Sequence, residues 1–248
     1  MKYILIAFTL ISCNNIDFNR DPAVSDKPLD TIQSASPKII AFPRLFENAF
    51  IKGTTEQGKD ATVSFYGVNI GKLKIPTGSL IACDPMHIDE YGIPFTQQFP
   101  TGEFPVQLAV ARLKDEERIA FARINFSDEP VVRWEFALKE GNKPLPITSE
   151  EGPGYSVDAS VGVFIDAAAS KALNLDHVTR MDTGIYTELD KNYRHTWRYA
   201  MFNFGNHNLA TFTSGFGDGF YSSYIGYDAD GKPCRLLTDF GLFEWRDR

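Results

Sequence analysis

EFPVQLAVARLKDEERIAFARINF, residues 103–126, decides how this chain folds. Glu103–Leu113 and Arg118–Phe126 are apolar runs of strand length, and the charged tetrad Lys114-Asp115-Glu116-Glu117 is all that separates them. Two such runs joined so briefly read as an antiparallel hairpin. Upstream, Thr62–Tyr66 and Ser79–Cys83 are further strand-like runs. Downstream, Pro130–Leu138 (PVVRWEFAL) sets Val132, Trp134, Phe136 and Leu138 against Arg133 and Glu135, which gives one buried and one wet face. Glu140–Gly154 holds three prolines and three glycines and is expected to be loop.

The period changes at Asp166–His177 (DAAASKALNLDH), where Ala and Leu favour helix and Asp166 is a suitable cap. Asp182–Tyr193 is a candidate second helix. Strands resume at Trp197–Phe204, Asn208–Thr213, Phe220–Tyr227 and Cys234–Phe240, the last two joined by the turn Asp228-Ala229-Asp230-Gly231. The 20 Phe and 10 Tyr suit strands better than surface helices. The expected fold is a mainly β single domain, sandwich-like or α+β, with a short helical insert. With 43% hydrophobic and 23% charged residues the chain is excluded from the disordered, collagen and coiled-coil classes. A formal charge of −7 argues against a nucleic-acid partner, which would need clustered Lys and Arg.

The first 38 residues read differently. Met1-Lys2 precedes an apolar run, Tyr3–Ile11, too short to span a bilayer but suited to a secretory signal. Leu10-Ile11-Ser12-Cys13 resembles the bacterial lipobox, so residues 1–12 are expected to be a lipoprotein signal peptide and Cys13 the lipidated new N-terminus. Removal of Lys2 would take the net charge from −7 to −8. Residues 13–38, rich in Asn, Asp, Ser and Pro, suit a flexible tether of roughly 25–30 Å reach. Residues 39–248 then form the β-rich globular domain. The expected location is the cell envelope, with the anchor in the cytoplasmic or outer membrane, the domain outside the cytoplasm and the lipid as its only membrane contact. Cys83 and Cys234 remain, either paired or free and buried.

Most chemical motifs fail. Placing Gly231 at the sixth position of a calcium loop puts Gly226 and Leu237 where oxygen ligands are required. Gly215-Phe216-Gly217-Asp218-Gly219 resembles half a phosphate loop, but strand formers follow it rather than a helix. Ser214 lacks the glycine two positions earlier that a nucleophile elbow requires. His87, His177, His195 and His207 show no zinc spacing. No cofactor is expected, and only a divalent cation is left open.

The carboxylates are the remaining lead. Asp84, Asp158, Asp166, Asp218 and Asp239 each end an apolar run or stand in a glycine turn. There they would serve backbone hydrogen bonding or, if gathered, a cation or acid–base chemistry. Asp158 and Asp166 would share a face of an uninterrupted strand, unless Gly162 breaks it or Asp166 caps a helix. Trp197, Tyr199, Phe202, Phe216, Phe220, Tyr221 and Tyr224 crowd near the glycine turn; most are expected in the core, and the rest offer aromatic faces for a glycan, peptide or protein ligand.

Gly78–Pro85 (GSLIACDP), Pro94–Val106 (PFTQQFPTGEFPV), Arg133-Trp134-Glu135, Tyr155–Asp166 (YSVDASVGVFID) and Thr213–Phe240 (TSGFGDGFYSSYIGYDADGKPCRLLTDF) together resemble the bacterial domain of unknown function 4241. The resemblance covers roughly residues 60–241 and implies no established activity. Its hallmark positions fall on Asp84, Pro85, Gly102, Trp134, Asp158, Asp166, Gly217, Asp218, Gly219, Tyr221 and Asp239. Ser160 stands where the family's Asp-Ala-Gly turn has glycine, and a non-glycine there implies a negative φ.

Two readings follow. One is a lipid-anchored binding or interaction module without turnover, with Asp84, Asp158, Asp166, Asp218, Tyr221 and Asp239 as candidate ligand or cation residues. It requires an exposed aromatic patch or concave face near Gly217 and Tyr221. The other is a hydrolase, cation-assisted or acid–base, which requires at least two of Asp158, Asp166, Asp218 and Asp239 to converge in a cleft.

Overall fold

The computed structural model describes residues 42–58 and 61–246, so the expected signal peptide, Cys13 and the expected tether of residues 13–38 lie outside the described residues. In chain order the elements are α1 (Leu45–Asn48), β1 (Thr55–Gln57), β2 (Thr62–Ile75) and β3 (Leu80–Cys83). A 3-10 turn (Pro85–His87) leads into α2 (Ile88–Tyr91), then β4 (Gly102–Arg112), β5 (Glu117–Asn125), β6 (Arg133–Phe136), β7 (Tyr155–Val157) and β8 (Val161–Asp166). Three short helices follow, α3 (Ala167–Ala172), α4 (Leu175–Thr179) and α5 (Ile185–Lys191). Four strands complete the chain: β9 (Tyr199–Phe204), β10 (His207–Thr213), β11 (Gly219–Tyr227) and β12 (Pro233–Asp239). Among the described residues strand outweighs helix three to one, 42% to 14%, so the mainly β expectation holds.

The hairpin of residues 103–126 forms as β4–β5, closed where Leu113 N–H donates to the Glu116 carbonyl at 2.8 Å. It lies in the middle of a sheet ordered β1-β2-β4-β5-β12-β11-β6, with β7 pairing the start of β11. A second sheet runs β3-β8-β10-β9, and every pairing in both is antiparallel. Leu73, Leu108, Ile124 and Leu236 of the first sheet pack with Leu80, Phe164 and Phe212 of the second in one buried cluster. Each sheet is covered on its outer face too. Phe46 of α1 and Trp245 of the C-terminal segment close over Phe121, Trp134 and Tyr224, while Ile185 and Leu189 of α5 close over Ile81, Ile165 and Leu209. Double coverage explains why β8 is buried at every position, whereas β6 alternates over Arg133–Phe136 as its sequence expects, although Val132, expected on the buried face, lies outside the strand and is 49% exposed.

Several boundaries differ from the sequence reading. β2 continues to Ile75 rather than ending at Tyr66. Gly67, just past that expected end, lies within the strand, and a Cβ there would stand 2.3 Å from the Phe50 carbonyl oxygen, so the position requires glycine. The helix expected over Asp166–His177 is two helices, since Leu173 turns extended and Asn174 caps α4 in a capping box with His177. Asp182–Tyr193 does contain a helix, α5. Cys83 and Cys234 are both free and buried, on opposite outer faces of the two sheets, which excludes their pairing. Burial pushes the Cys83 thiol up to about 12, so it is an inert packing group.

One charged cluster ties α1 to the larger sheet. Glu47 accepts from Arg123 at 2.9 Å and, through both oxygens, from Arg235 at 3.1 and 3.3 Å. Both arginines are buried, and burial lowers Arg123 to about 10 despite Glu47. Phe50 lies 3.8 Å under the Arg123 guanidinium.

Candidate functional site

Asp84 follows β3, and its Asp-Pro sequence starts the Pro85–His87 turn: Oδ1 accepts the Met86 N–H at 2.7 Å. Its other oxygen reaches across the sheet end and accepts the N–H groups of Asp158 and Ala159 at 2.8 and 2.9 Å. With the side chain buried, these donors occupy the carboxylate. Asp84 therefore positions the turn between β7 and β8 and presents no free oxygen to a ligand. The Asp158 carboxylate points to solvent, 70% exposed, with His87 Nε2 3.6 Å away.

Ser160 is the hinge of that turn, and here the sequence expectation is wrong. Its φ is +56°, left-handed rather than negative. Asp218 supplies the reason: one carboxylate oxygen accepts both the Ser160 N–H at 2.9 Å and its Oγ–H at 2.8 Å, holding a serine in a conformation that glycine usually fills. The facing turn is fitted to it. Gly217 has φ +120°, and a Cβ there would meet Ser160 Oγ at 3.0 Å. Tyr221 pins this second turn from below, donating its buried hydroxyl to the Gly217 carbonyl at 2.7 Å. Burial also raises the Tyr221 hydroxyl above its ordinary value, which keeps it a donor at neutral pH.

Four of the six sequence candidates thus join in one network: Asp84, Asp158, Asp218 and Tyr221. Asp239 approaches from β12, opposite Ser222 of β11. It is buried and accepts from Trp245 Nε1 at 2.7 Å and from the Gly241 N–H at 2.8 Å. Desolvation raises its pKa to about 6, against the lowering effect of those two bonds. Asp166 is separate. It lies at the far end of β8, caps α3 through Ala168 N–H at 2.8 Å and accepts from the Thr77 N–H and Oγ–H at 3.1 and 2.8 Å. The alternative that Asp166 caps a helix is the one realised, and it does not share a site with Asp158.

An open cleft of about 550 Å³ lies beside this network. Asp218, Phe220, Tyr221 and Asp239 line it together with Glu150, Glu151 and Arg246. Glu150, Glu151 and Asp218 make no ion pair among the described residues. Of the seven aromatic candidates, Trp197, Phe202, Tyr221 and Tyr224 are buried, whereas Phe216 and Phe220 are 62% and 60% exposed on either side of Gly217-Asp218-Gly219. Phe216 and Phe220, not Tyr221, are the exposed rings beside Gly217. Among the described residues, no three His, Cys, Asp or Glu side chains gather to hold a metal ion.

A model of the family described as "Protein of unknown function (DUF4241)" matches residues 73–238. The chain belongs to this family. No curated protein and no solved structure matches it. The family match includes Asp84, Asp158, Asp166, Asp218 and Tyr221 and stops one residue short of Asp239. The cleft therefore combines a wall from the family domain, residues 150–152 and 218–222, with a wall from the C-terminal segment, residues 239–241 and Arg246.

Sequence reasoning missed Glu150, Glu151 and Arg246. The two glutamates sit in a proline- and glycine-rich loop with no periodicity to mark them, and Arg246 lies beyond the last strand. The Ser160–Asp218 latch was also missed: residues 58 positions apart carry no local signal of contact.

Proposed function

We propose that this chain is an exported binding module, held outside the cytoplasm by a lipid on Cys13, that takes its ligand in the cleft between Phe220 and Asp239 without turnover. The cleft carries the reading: three carboxylates without a cation partner stand around an exposed aromatic ring, in a frame fixed by the Asp84 and Asp218 networks. Frames of this kind reduce the ordering cost of binding. Of the four carboxylates that catalysis would need, Asp218 and Asp239 line the cleft together, but Asp218 is bonded to Ser160, Asp239 to two N–H donors and Asp166 to a helix cap. Support for export is the apolar run Tyr3–Ile11 ending at Leu10-Ile11-Ser12-Cys13.

The binding reading is tested by a thermal-shift panel on the full chain, using arginine methyl ester, maltotriose and citrate as cationic, neutral and anionic probes. At least one probe raises the melting temperature of the wild type and fails to raise that of Phe220→Ala. Probes that stabilise both proteins equally would remove the cleft as the seat. Chromogenic esters and glycosides are expected to give no turnover that Asp218→Asn abolishes. Intact mass of the chain extracted from bacterial membranes tests the anchor: loss of residues 1–12 with an acylated Cys13 is expected, and an unmodified Met1 overturns it.

A further inference from the structure

Phe216 and Phe220 lie four residues apart on one turn, yet they face different hollows. Phe220 lines the acidic cleft. Phe216 lines a second hollow of about 490 Å³ with Val63, Leu113, Leu242, Phe243 and Lys114. The two share a wall, because Phe240 and Gly241 face the first and Leu242 and Phe243 the second. Their chemistry is opposite. The first holds Glu150, Glu151 and Asp218 without a cation partner; the second has an apolar floor, Arg112 already paired with Glu117 at 3.0 Å, and Lys114 in no ion pair among the described residues.

We propose that the ligand is an extended peptide with a basic side chain, laid across the Phe216–Phe220 crest so that the basic group enters the acidic cleft and an apolar residue fills the second hollow. The proposal rests on the reading of the cleft as a ligand seat and names what occupies it. Glu150, Glu151 and Asp218, none of them in an ion pair among the described residues, outnumber the one guanidinium of the cleft, Arg246, which already pairs with Glu244 at 3.6 Å, so the cleft favours a cation, which a neutral glycan does not offer and an acidic peptide opposes. A small polyamine would satisfy the first cleft and leave the apolar floor and Lys114 of the second without use. A peptide supplies a basic group, an apolar group and a terminal carboxylate for Lys114 along one backbone. It crosses at the most open point of the turn, where Asp218 and Gly219 are exposed.

The test is fluorescence anisotropy with the full chain and labelled hexapeptides of the pattern Lys-Gly-Phe-Gly-Leu-Gly, compared with versions in which Lys is Gln or Glu, with maltohexaose as a separate probe. The Lys peptide is expected to bind about 5-fold tighter than the Gln peptide at low salt, with the gap closing as salt rises. Glu150→Gln with Glu151→Gln, on an exposed loop, lowers affinity for the Lys peptide about 5-fold and leaves the Gln peptide unchanged. Phe216→Ala weakens both peptides about 5-fold, because it removes the contact in the second hollow. Equal binding of the Lys and Gln peptides overturns the basic class. A loss with Phe220→Ala but none with Phe216→Ala overturns the crossing. Maltohexaose binding that depends on Phe220, with no peptide bound, overturns this proposal and leaves the cleft as the seat. If no probe depends on Phe220, both fall.

Discussion

Ser160 holds a left-handed backbone with φ +56° because the Asp218 carboxylate binds its N–H and its hydroxyl together. The strain and the hydrogen bond are each worth about 1 kcal/mol, so they can be separated. Ser160→Ala keeps the strain and loses the hydroxyl bond, and urea unfolding should show a loss of about 1 kcal/mol. Ser160→Gly loses the same bond but relieves the backbone, so its stability should stay within about 0.5 kcal/mol of wild type. Equal losses would mean that the backbone there carries no strain. Asp239 adds a pH dependence. Its folded pKa of about 6 lies above the ordinary 3.8, so the folded state binds its proton more tightly. Its contribution is greatest below pH 3.8 and is lost as pH rises through 6, a change of about 3 kcal/mol. The stability of wild type minus that of Asp239→Asn should therefore fall between about pH 4 and 6 and stay level above it. A difference that rises over that interval would contradict the buried carboxylate. At this scale the sequence was only partly legible. Asp84 before Pro85 announces a turn, but nothing local announces that its second oxygen holds Asp158 and Ala159.

Elements that depend on near neighbours were readable, and those that depend on distant ones were not. The β4–β5 hairpin follows from two apolar runs and a charged turn, and β6 from its alternation. The length of β2 was hidden, because the apolar run stops at Tyr66 and Gly67 is set by the distant Phe50 carbonyl. α1 was hidden as well: four residues have no period, and the helix is held by what it covers. Phe46 packs edge-on against Phe121, Trp134 and Trp245 at centroid distances of 4.9–5.6 Å, and Glu47 joins Arg123 to Arg235. Glu47→Ala would leave two buried guanidinium groups without a carboxylate and should cost about 3–5 kcal/mol in a urea titration. A loss under 1 kcal/mol would show that the arginines find other partners and that α1 is held by its aromatic contacts alone.

At the scale of the whole molecule, two antiparallel sheets stack face to face, and each carries a further layer on its outside. The β class and the helical insert were visible in composition and period; the division of strands between sheets was not, because both sheets are antiparallel and strands of each draw on the same residue types. The stack places the β7–β8 turn against the turn leading into β11, and the C-terminal segment closes the cleft they frame. The central claim is that this cleft, of all the surface, is where the protein meets its ligand. The most direct measurement is an amide-resolved NMR titration of the isotope-labelled full chain with the lysine hexapeptide. The account predicts saturable shifts concentrated at residues 150–152, 216–222 and 239–242, with the strands of the smaller sheet unmoved. Shifts centred on the helical layer, or spread thinly over the surface without saturation, would contradict it.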